Sequence, residues 1–100
     1  MFVVMPFCTL LEWDAEFDMA RYDELNQRAG GHDELPDGCL ARIVGPVETG
    51  ARVIEVWESE DDARRFSEQN TPLILEVNMP APTGVAAFET SVFMTRGDAG

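Results

Sequence analysis

Glycine and proline divide this 100-residue chain into short apolar segments, and the order of those segments is the strongest constraint on its fold. Pro6 cannot donate to a central hydrogen-bond ladder, so the first strand is predicted from Phe7 to about Trp13. Two more strands are predicted over Cys39 to Val44 and Ala51 to Glu58. The residues between them, Gly45 to Gly50, are typical of a hairpin connection.

Two helices are predicted around this hairpin. The first begins near Asp18, a favourable N-cap residue, and ends at Gly30-Gly31. The sequence Ser59-x-x-Asp62 is typical of a capped start to the second helix. Thr71-Pro72 then predicts a kink, or a new short helix over Leu73 to Val77, because proline removes a helical hydrogen bond.

A closing strand, Val85 to about Thr95, follows a loop over Pro80 to Gly84. The order βαββαβ with right-handed crossovers predicts a ferredoxin-like α+β fold, in one domain over residues 1–100. Its four-stranded antiparallel sheet has the order 4-1-3-2 and both helices on one face. Cys8 and Cys39 then lie two strands apart, roughly 10 Å, so we expect no disulfide between them.

The net negative charge of the chain argues against one class of binding partner, nucleic acids. The chain has 19 acidic and 7 basic residues, a net charge of −12, which repels phosphate backbones and argues against nucleic-acid binding. The apolar stretch Met1 to Leu11 has no basic leader and stops at Glu12, so we expect a strand there and no membrane segment. Two thiols without a disulfide framework predict a reducing, cytoplasmic location.

Strand alternation predicts which side chains face the helices. On the third strand, the aliphatic Ile54 and Val56 are expected to face them, which leaves Val53, Glu55 and Trp57 on the open face. Symmetric pairing of the hairpin adds three cross-strand pairs to that open face. These are Arg42 with Glu55, Leu40 with Trp57, and Val44 with Val53.

The fourth strand is interpreted in the same way. Phe88, Val92 and Met94 are expected to face the helices. The open face then receives Ala87, Glu89, Ser91 and Phe93. Such a face is too apolar for water, so we expect a second copy to cover it in a symmetric homodimer that encloses a cavity for a hydrophobic small molecule.

The stretch from Leu35 to Ser59, LPDGCLARIVGPVETGARVIEVWES, followed by Ala63, Phe66 and Pro72, resembles the dimeric α/β-barrel superfamily. It is most similar to small bacterial members near the antibiotic-biosynthesis monooxygenases and the aromatic polyketide cyclases. The resemblance implies a homodimer with facing sheets, and ligand between sheet and helices or inside the barrel. It also implies oxygenation of polycyclic phenols without flavin or metal, or acid/base cyclisation of polyketides.

One departure from the family concerns histidine. Many of those monooxygenases carry one on the second helix, where this chain has Phe66, and haem-degrading relatives need a helical histidine ligand. The only histidine here is His32, in a predicted loop. We therefore expect no haem. The spacing of the histidine, cysteines and carboxylates predicts no metal site, and the sequence has no Gly-rich phosphate loop or Rossmann fingerprint, so we expect no nucleotide cofactor.

The remaining candidates support acid/base chemistry, and each has a structural alternative. The predicted catalytic residues are Glu55, Glu89, Arg42 and His32, and the predicted substrate-binding residues are Trp57, Phe93, Tyr22, Leu40 and Ser91. Glu55 could instead be only the partner of Arg42, and Glu89 could lie at a solvated sheet end. Trp57 could pack at the dimer interface, His32 could be a solvent residue, and Tyr22 could pack the first helix.

Two functions follow from these candidates. The first is a cofactor-independent enzyme, a cyclase, isomerase or monooxygenase, that acts on an aromatic or polyketide-like metabolite. The second is a homodimer without catalytic activity that binds a metabolite or supports another protein.

Overall fold

The structure, a computed structural model, describes residues 5–14, 18–28 and 34–96. The elements are β1 (Phe7–Trp13), α1 (Met19–Arg28), β2 (Cys39–Val47), β3 (Gly50–Trp57), α2 (Glu60–Glu76) and β4 (Gly84–Glu89). All neighbouring strands are antiparallel, in the order β2-β3-β1-β4. The predicted ferredoxin-like topology is confirmed.

Both predicted helix starts are confirmed by capping contacts. The Asp18 carboxylate accepts a hydrogen bond from the backbone N–H of Ala20 at 2.9 Å. At the second helix, the Ser59 hydroxyl accepts from the backbone N–H of Asp62 at 3.2 Å. These contacts satisfy N–H groups that lack partners within the helix. The predicted end of the first helix at Gly30-Gly31 lies outside the described residues.

The predicted new helix after Pro72 is wrong, because α2 runs without interruption through that residue, and the alternative of a kink stays a prediction. Proline removes the donor to the carbonyl of Glu68, but both residues are exposed, so water can satisfy that carbonyl. The apolar side of α2 continues past the proline, and Leu73 and Ile74 pack against the core. This packing outweighs the local cost of the proline.

The hairpin is tighter than predicted, because the ladder continues to the pair Val47 and Gly50. Gly50 has a φ of 155°, and a Cβ there would lie 1.7 Å from the Trp13 carbonyl oxygen. Only glycine allows β3 to begin this close to the end of β1.

The closing strand is shorter than predicted and ends at Glu89. Its ladder with β1 runs from Glu12 opposite Gly84 to Phe7 opposite Glu89. Beyond it, the backbone N–H of Thr90 donates to the Pro6 carbonyl at 2.8 Å. Within the described part of the chain, β1 is the only neighbour of β4, so β4 ends at Glu89, opposite the residue where β1 begins.

The predicted assignment of the two sheet faces is wrong. Trp57 packs on α2, where its ring centroid lies 5.0 Å from that of Phe66. Val53, on the same face, belongs to a core with Tyr22 and Leu25 of α1. By alternation, Glu55 also lies under the helices and Ile54 lies on the uncovered face.

The pairing register of the strands shows which residues of β1, β2 and β4 share a face with Glu55 and which share a face with Ile54. One row across the sheet is Arg42, Glu55, Thr9 and Ala87, on the helix side. The adjacent row is Ile43, Ile54, Leu10 and Ala86, on the uncovered side. Phe88 pairs with Cys8 and lies on the uncovered side, whereas Ala87 and Glu89 lie on the helix side. We call these two surfaces the covered face and the uncovered face.

The predicted pairs Arg42 with Glu55 and Val44 with Val53 are confirmed. The predicted pair of Leu40 with Trp57 is wrong, because an irregularity in β2 sets Cys39 opposite Trp57 and leaves Leu40 as the extra residue.

Cys8 and Cys39 are free thiols on strands separated by β3, as the strand order predicted. Neither helix in the described part of the chain is long and apolar enough to cross a membrane.

Candidate functional site

A cavity of about 270 Å³ lies between the covered face and the two helices. Its wall is mostly apolar, with side chains from all four strands, both helices and the residues that precede β4. The polar side chains in the wall are Tyr22, Asn26, Arg42, Glu55, Ser67 and Asn70. An apolar wall with a few converging polar groups is the usual construction of a small-molecule site.

Arg42 and Glu55 form a buried ion pair in this wall. Arg42 Nη2 lies 2.7 Å from Glu55 Oε2, and Arg42 Nε donates to the same oxygen at 2.9 Å. The two side chains are only 11% and 7% exposed. A buried charge needs a partner, and direct cross-strand register supplies one here.

Two further contacts hold the guanidinium of Arg42. Its Nη1 donates to the Asn26 side-chain oxygen at 3.3 Å. Its central carbon lies 5.5 Å from the centroid of the Phe66 ring, within the range of a cation–π interaction. Arg42 is therefore fixed by contacts from β3, α1 and α2.

The ion pair uses only one oxygen of the carboxylate. Both Arg42 contacts are made to Oε2, and no described residue donates a hydrogen bond to Oε1. Every fully enclosed side-chain oxygen or nitrogen in the described residues has a partner, so Oε1 remains open to the cavity. A carboxylate oxygen free in an apolar cavity can accept a proton from a bound molecule.

Tyr22 contributes the phenol of the site. Burial raises its pKa, as do the negative charges of Glu55 and Asp23, while the positive charge of Arg42 and a side-chain hydrogen bond with Asn26 lower it. The net direction is upward, so at neutral pH this hydroxyl is protonated. It can donate a hydrogen bond, but it is not a base.

Asn70 is a further polar side chain of the cavity wall. It is 8% exposed and lines the cavity, yet its side chain makes no hydrogen bond with the described residues. Because every fully enclosed side-chain oxygen or nitrogen in the described residues has a partner, the amide atoms of Asn70 are open to the adjoining space. A ligand can hydrogen-bond this amide in place of water.

The predicted site residues divide into two groups. Glu55, Arg42 and Tyr22 come together in the cavity wall. Trp57 lies behind Phe66 and is 1% exposed, with its indole N–H donating to the Thr9 hydroxyl at 3.3 Å.

The remaining predicted residues lie elsewhere. Glu89 is exposed at the end of β4, and Leu40 is exposed at the irregularity in β2. Ser91 and Phe93 follow β4 and do not line the cavity. His32 lies outside the described residues.

Sequence reasoning missed Asn26 and Asn70. Asn26 lies four residues after Tyr22, and Asn70 lies four residues after Phe66, so each continues the inward side of its helix. A polar residue at an apolar position of the helical repeat was the available signal.

The described residues contain no group of three or more His, Cys, Asp or Glu side chains placed to hold a metal ion. Burial raises the pKa of the Cys8 and Cys39 thiols, and the charge of Glu55 adds to this effect at Cys39. The thiols are therefore protonated at neutral pH and are poor nucleophiles.

No family model matches the chain, and no curated protein matches its sequence. Solved structures do match. A putative antibiotic biosynthesis monooxygenase from Chloroflexus aurantiacus superimposes with a TM-score of 0.63 at 12% identity, covering 90% of this chain and 97% of that one.

Two Streptomyces proteins share the same fold. SnoaB, a cofactor-independent oxygenase from Streptomyces nogalater, gives a TM-score of 0.58 at 14% identity, covering 90% of this chain and 95% of that one. A monooxygenase from Streptomyces coelicolor in complex with nanaomycin D gives 0.54 at 16% identity, covering 91% and 92%. The predicted ferredoxin-like fold is thus confirmed: the chain has the same α+β fold as these solved antibiotic biosynthesis monooxygenase structures.

Proposed function

We propose that this protein is an enzyme that acts, without a cofactor, on a small hydrophobic aromatic or polyketide-like metabolite bound between the covered face and the helices. The observation that carries this proposal is the free Oε1 of Glu55 in an apolar cavity, beside the fixed guanidinium of Arg42. Similarity in fold to a cofactor-independent oxygenase supports it.

The first step is a proton transfer. Glu55 Oε1 takes a proton from an acidic O–H or C–H group of the substrate, which leaves a phenolate or enolate. Arg42 stabilises this negative charge electrostatically while it continues to hold Oε2 of Glu55. Tyr22, protonated because its pKa is raised, donates a hydrogen bond to the same developing oxyanion.

The anion can then react in two ways, by oxygenation or by cyclisation. In oxygenation, the substrate carbanion adds to molecular oxygen, the co-substrate, and a protonated peroxide forms on carbon. Loss of the remaining hydrogen from that carbon then breaks the O–O bond, which leaves a carbonyl group and releases the second oxygen atom as water. In cyclisation, the enolate carbon attacks a carbonyl of the same molecule, a carbon–carbon bond forms, and water leaves.

Cavity size limits the substrate. The volume of about 270 Å³ lies just below the range of about 300–1,000 Å³ for drug-sized ligands. This favours a compact aromatic body of about two rings over a long polyketide chain.

We also propose that the active form is a cytoplasmic homodimer in which a second copy covers the uncovered face. The row of Ile43, Ile54 and Leu10 gives this face an apolar centre, and Ile43 is 61% exposed. An exposed apolar patch of this kind marks an interaction surface. The superfamily resemblance supports a second copy as the occupant.

The test compares two glutamates. Glu55→Gln keeps the shape of the side chain but cannot accept the proton, so turnover should fall by about 10²–10⁴-fold. Glu89→Gln is the matched control, because Glu89 is exposed and does not line the cavity. Oxygen uptake and product formation are measured with 1-naphthol, dihydroxynaphthalenes and anthrone.

Glu55→Gln leaves the buried charge of Arg42 unpaired, and the variant could lose activity because it does not fold. A second variant controls for this effect. In the double variant Arg42→Leu/Glu55→Leu both charges are removed, and we expect a folded protein that binds the ring but does not turn it over. Equal turnover by wild type and Glu55→Gln would refute the assignment of the base. Binding without any turnover by the wild type would favour the alternative, a metabolite-binding homodimer.

A further inference from the structure

A second, more polar space adjoins the cavity. This groove of about 460 Å³ lies beside α2, the end of α1 and the residues that precede β2. Two residues, Phe66 and Asn70, line both the groove and the cavity. They are the shared boundary between an apolar space and a polar one.

The position of Asn70 makes it the group that a ligand would meet at this boundary. Its side chain is more than nine-tenths buried, and it makes no hydrogen bond with any described residue. The neighbouring Phe66 packs against Trp57, and the centroids of the two rings lie 5.0 Å apart. The boundary thus presents one fixed apolar ring and one accessible amide that makes no hydrogen bond with the described residues.

Charges in the groove indicate the kind of ligand that it accepts. Arg28 contacts Glu24 at 2.9 Å and Glu76 at 3.3 Å, and Arg65 contacts Asp62 at 3.0 Å. Both arginines that line the groove are therefore already neutralised. Two further lining carboxylates, Glu34 and Asp37, have no ion pair with the described residues, so the groove has an excess of negative charge.

We infer that the ligand has two parts: an aromatic body in the cavity, and an arm that passes Phe66 and Asn70 into the groove and ends in a hydroxyl or ammonium group. Asn70 hydrogen-bonds this arm where it leaves the cavity, and Asn70 is thereby a specificity-determining residue. The inference rests on the proposed function for the position of the ring and adds the chemistry of the rest of the ligand.

Four probes with the same ring test the arm. They are 1-methylnaphthalene, which has no arm, and naphthalenes with a three-carbon arm that ends in hydroxyl, ammonium or carboxylate. Binding is measured from tryptophan fluorescence and by calorimetry at low salt. For wild type, the hydroxyl and ammonium arms should each bind more tightly than 1-methylnaphthalene, and ammonium should exceed carboxylate by about threefold.

Asn70→Leu keeps the approximate size of the side chain but removes its hydrogen bonds. Affinity for the hydroxyl arm should fall by roughly fivefold, while affinity for 1-methylnaphthalene should not fall. A second variant, Glu34→Gln/Asp37→Asn, changes only exposed groove residues. It should remove most of the preference for ammonium over carboxylate and leave 1-methylnaphthalene binding unchanged.

The possible failures are distinguishable. If the wild type binds 1-methylnaphthalene but all arms are equivalent, or if Asn70→Leu weakens every probe equally, the two-part ligand is refuted and the proposed function stands. If the wild type binds none of the four probes, the cavity assignment of the proposed function fails, and this inference fails with it. If Asn70→Leu does not fold, the groove variant decides: an unchanged ammonium preference refutes the inference.

Discussion

The two faces of the sheet are built from alternate residues of the same strands, yet they have opposite chemistry. The covered face contains the ion pair of Arg42 and Glu55 and the indole of Trp57. The uncovered face has an aliphatic row that includes Ile43 and Ile54. Burial under helices therefore does not select the most apolar residues here.

The reason lies in what fills the space beneath the helices. A closely packed core would exclude a carboxylate, but the helices stand over a cavity, and the cavity wall contains charges that neutralise one another. The aliphatic row on the uncovered face is suited to packing against another sheet. The covered face is thus proposed for chemistry and the uncovered face for assembly.

The largest expected effect on stability comes from a substitution in the core under the covered face. Trp57→Ala removes a side chain that is 1% exposed and packs on Phe66. The free energy of unfolding should fall by about 3–5 kcal/mol, a large share of the total of about 5–15 kcal/mol for a folded domain. Urea unfolding followed by circular dichroism measures this loss, with both proteins at the same concentration because the apparent stability of a dimer depends on it. A loss below about 1 kcal/mol would show that this face is not the main core.

A change on the uncovered face should act on association instead. Ile43→Lys places a charge in the centre of the aliphatic row, so sedimentation equilibrium should shift from dimer to protomer while the circular dichroism spectrum is retained. Leu75→Lys is the matched control, because Leu75 is 74% exposed on α2 and lies away from the sheet. A wild type that sediments as a protomer at every concentration would contradict the assembly proposed for this face.

These two faces also mark where prediction from sequence succeeded and where it did not. Strand order, both helix starts and the register of Arg42 with Glu55 were predictable, because they depend on capping residues, glycine, proline and hairpin symmetry. The choice of face was not predictable from alternation, since both sets of alternate residues in β3 are largely apolar. The sequence-based rule that aliphatic residues pack under helices then led to the wrong face.

The remaining errors have local causes. The ladder position of Leu40 depends on an irregularity that hairpin symmetry does not predict. The passage of α2 through Pro72 depends on tertiary packing of the residues that follow it. The end of β4 at Glu89 depends on where its neighbour β1 begins. Among the site residues, Glu55, Arg42 and Tyr22 could be selected from sequence, but their meeting under the helices could not.

We propose that the ligand binds on the covered face, and isoleucine methyl signals distinguish this face from the uncovered one. The chain has three isoleucines. Ile74 lines the cavity, whereas Ile43 and Ile54 lie on the uncovered face. In a methyl-labelled NMR titration with 1-naphthol, the Ile74 signal should move with saturation while those of Ile43 and Ile54 stay in place. If the Ile43 and Ile54 signals move while the Ile74 signal is unchanged, the ligand lies on the uncovered face and the proposed cavity is wrong.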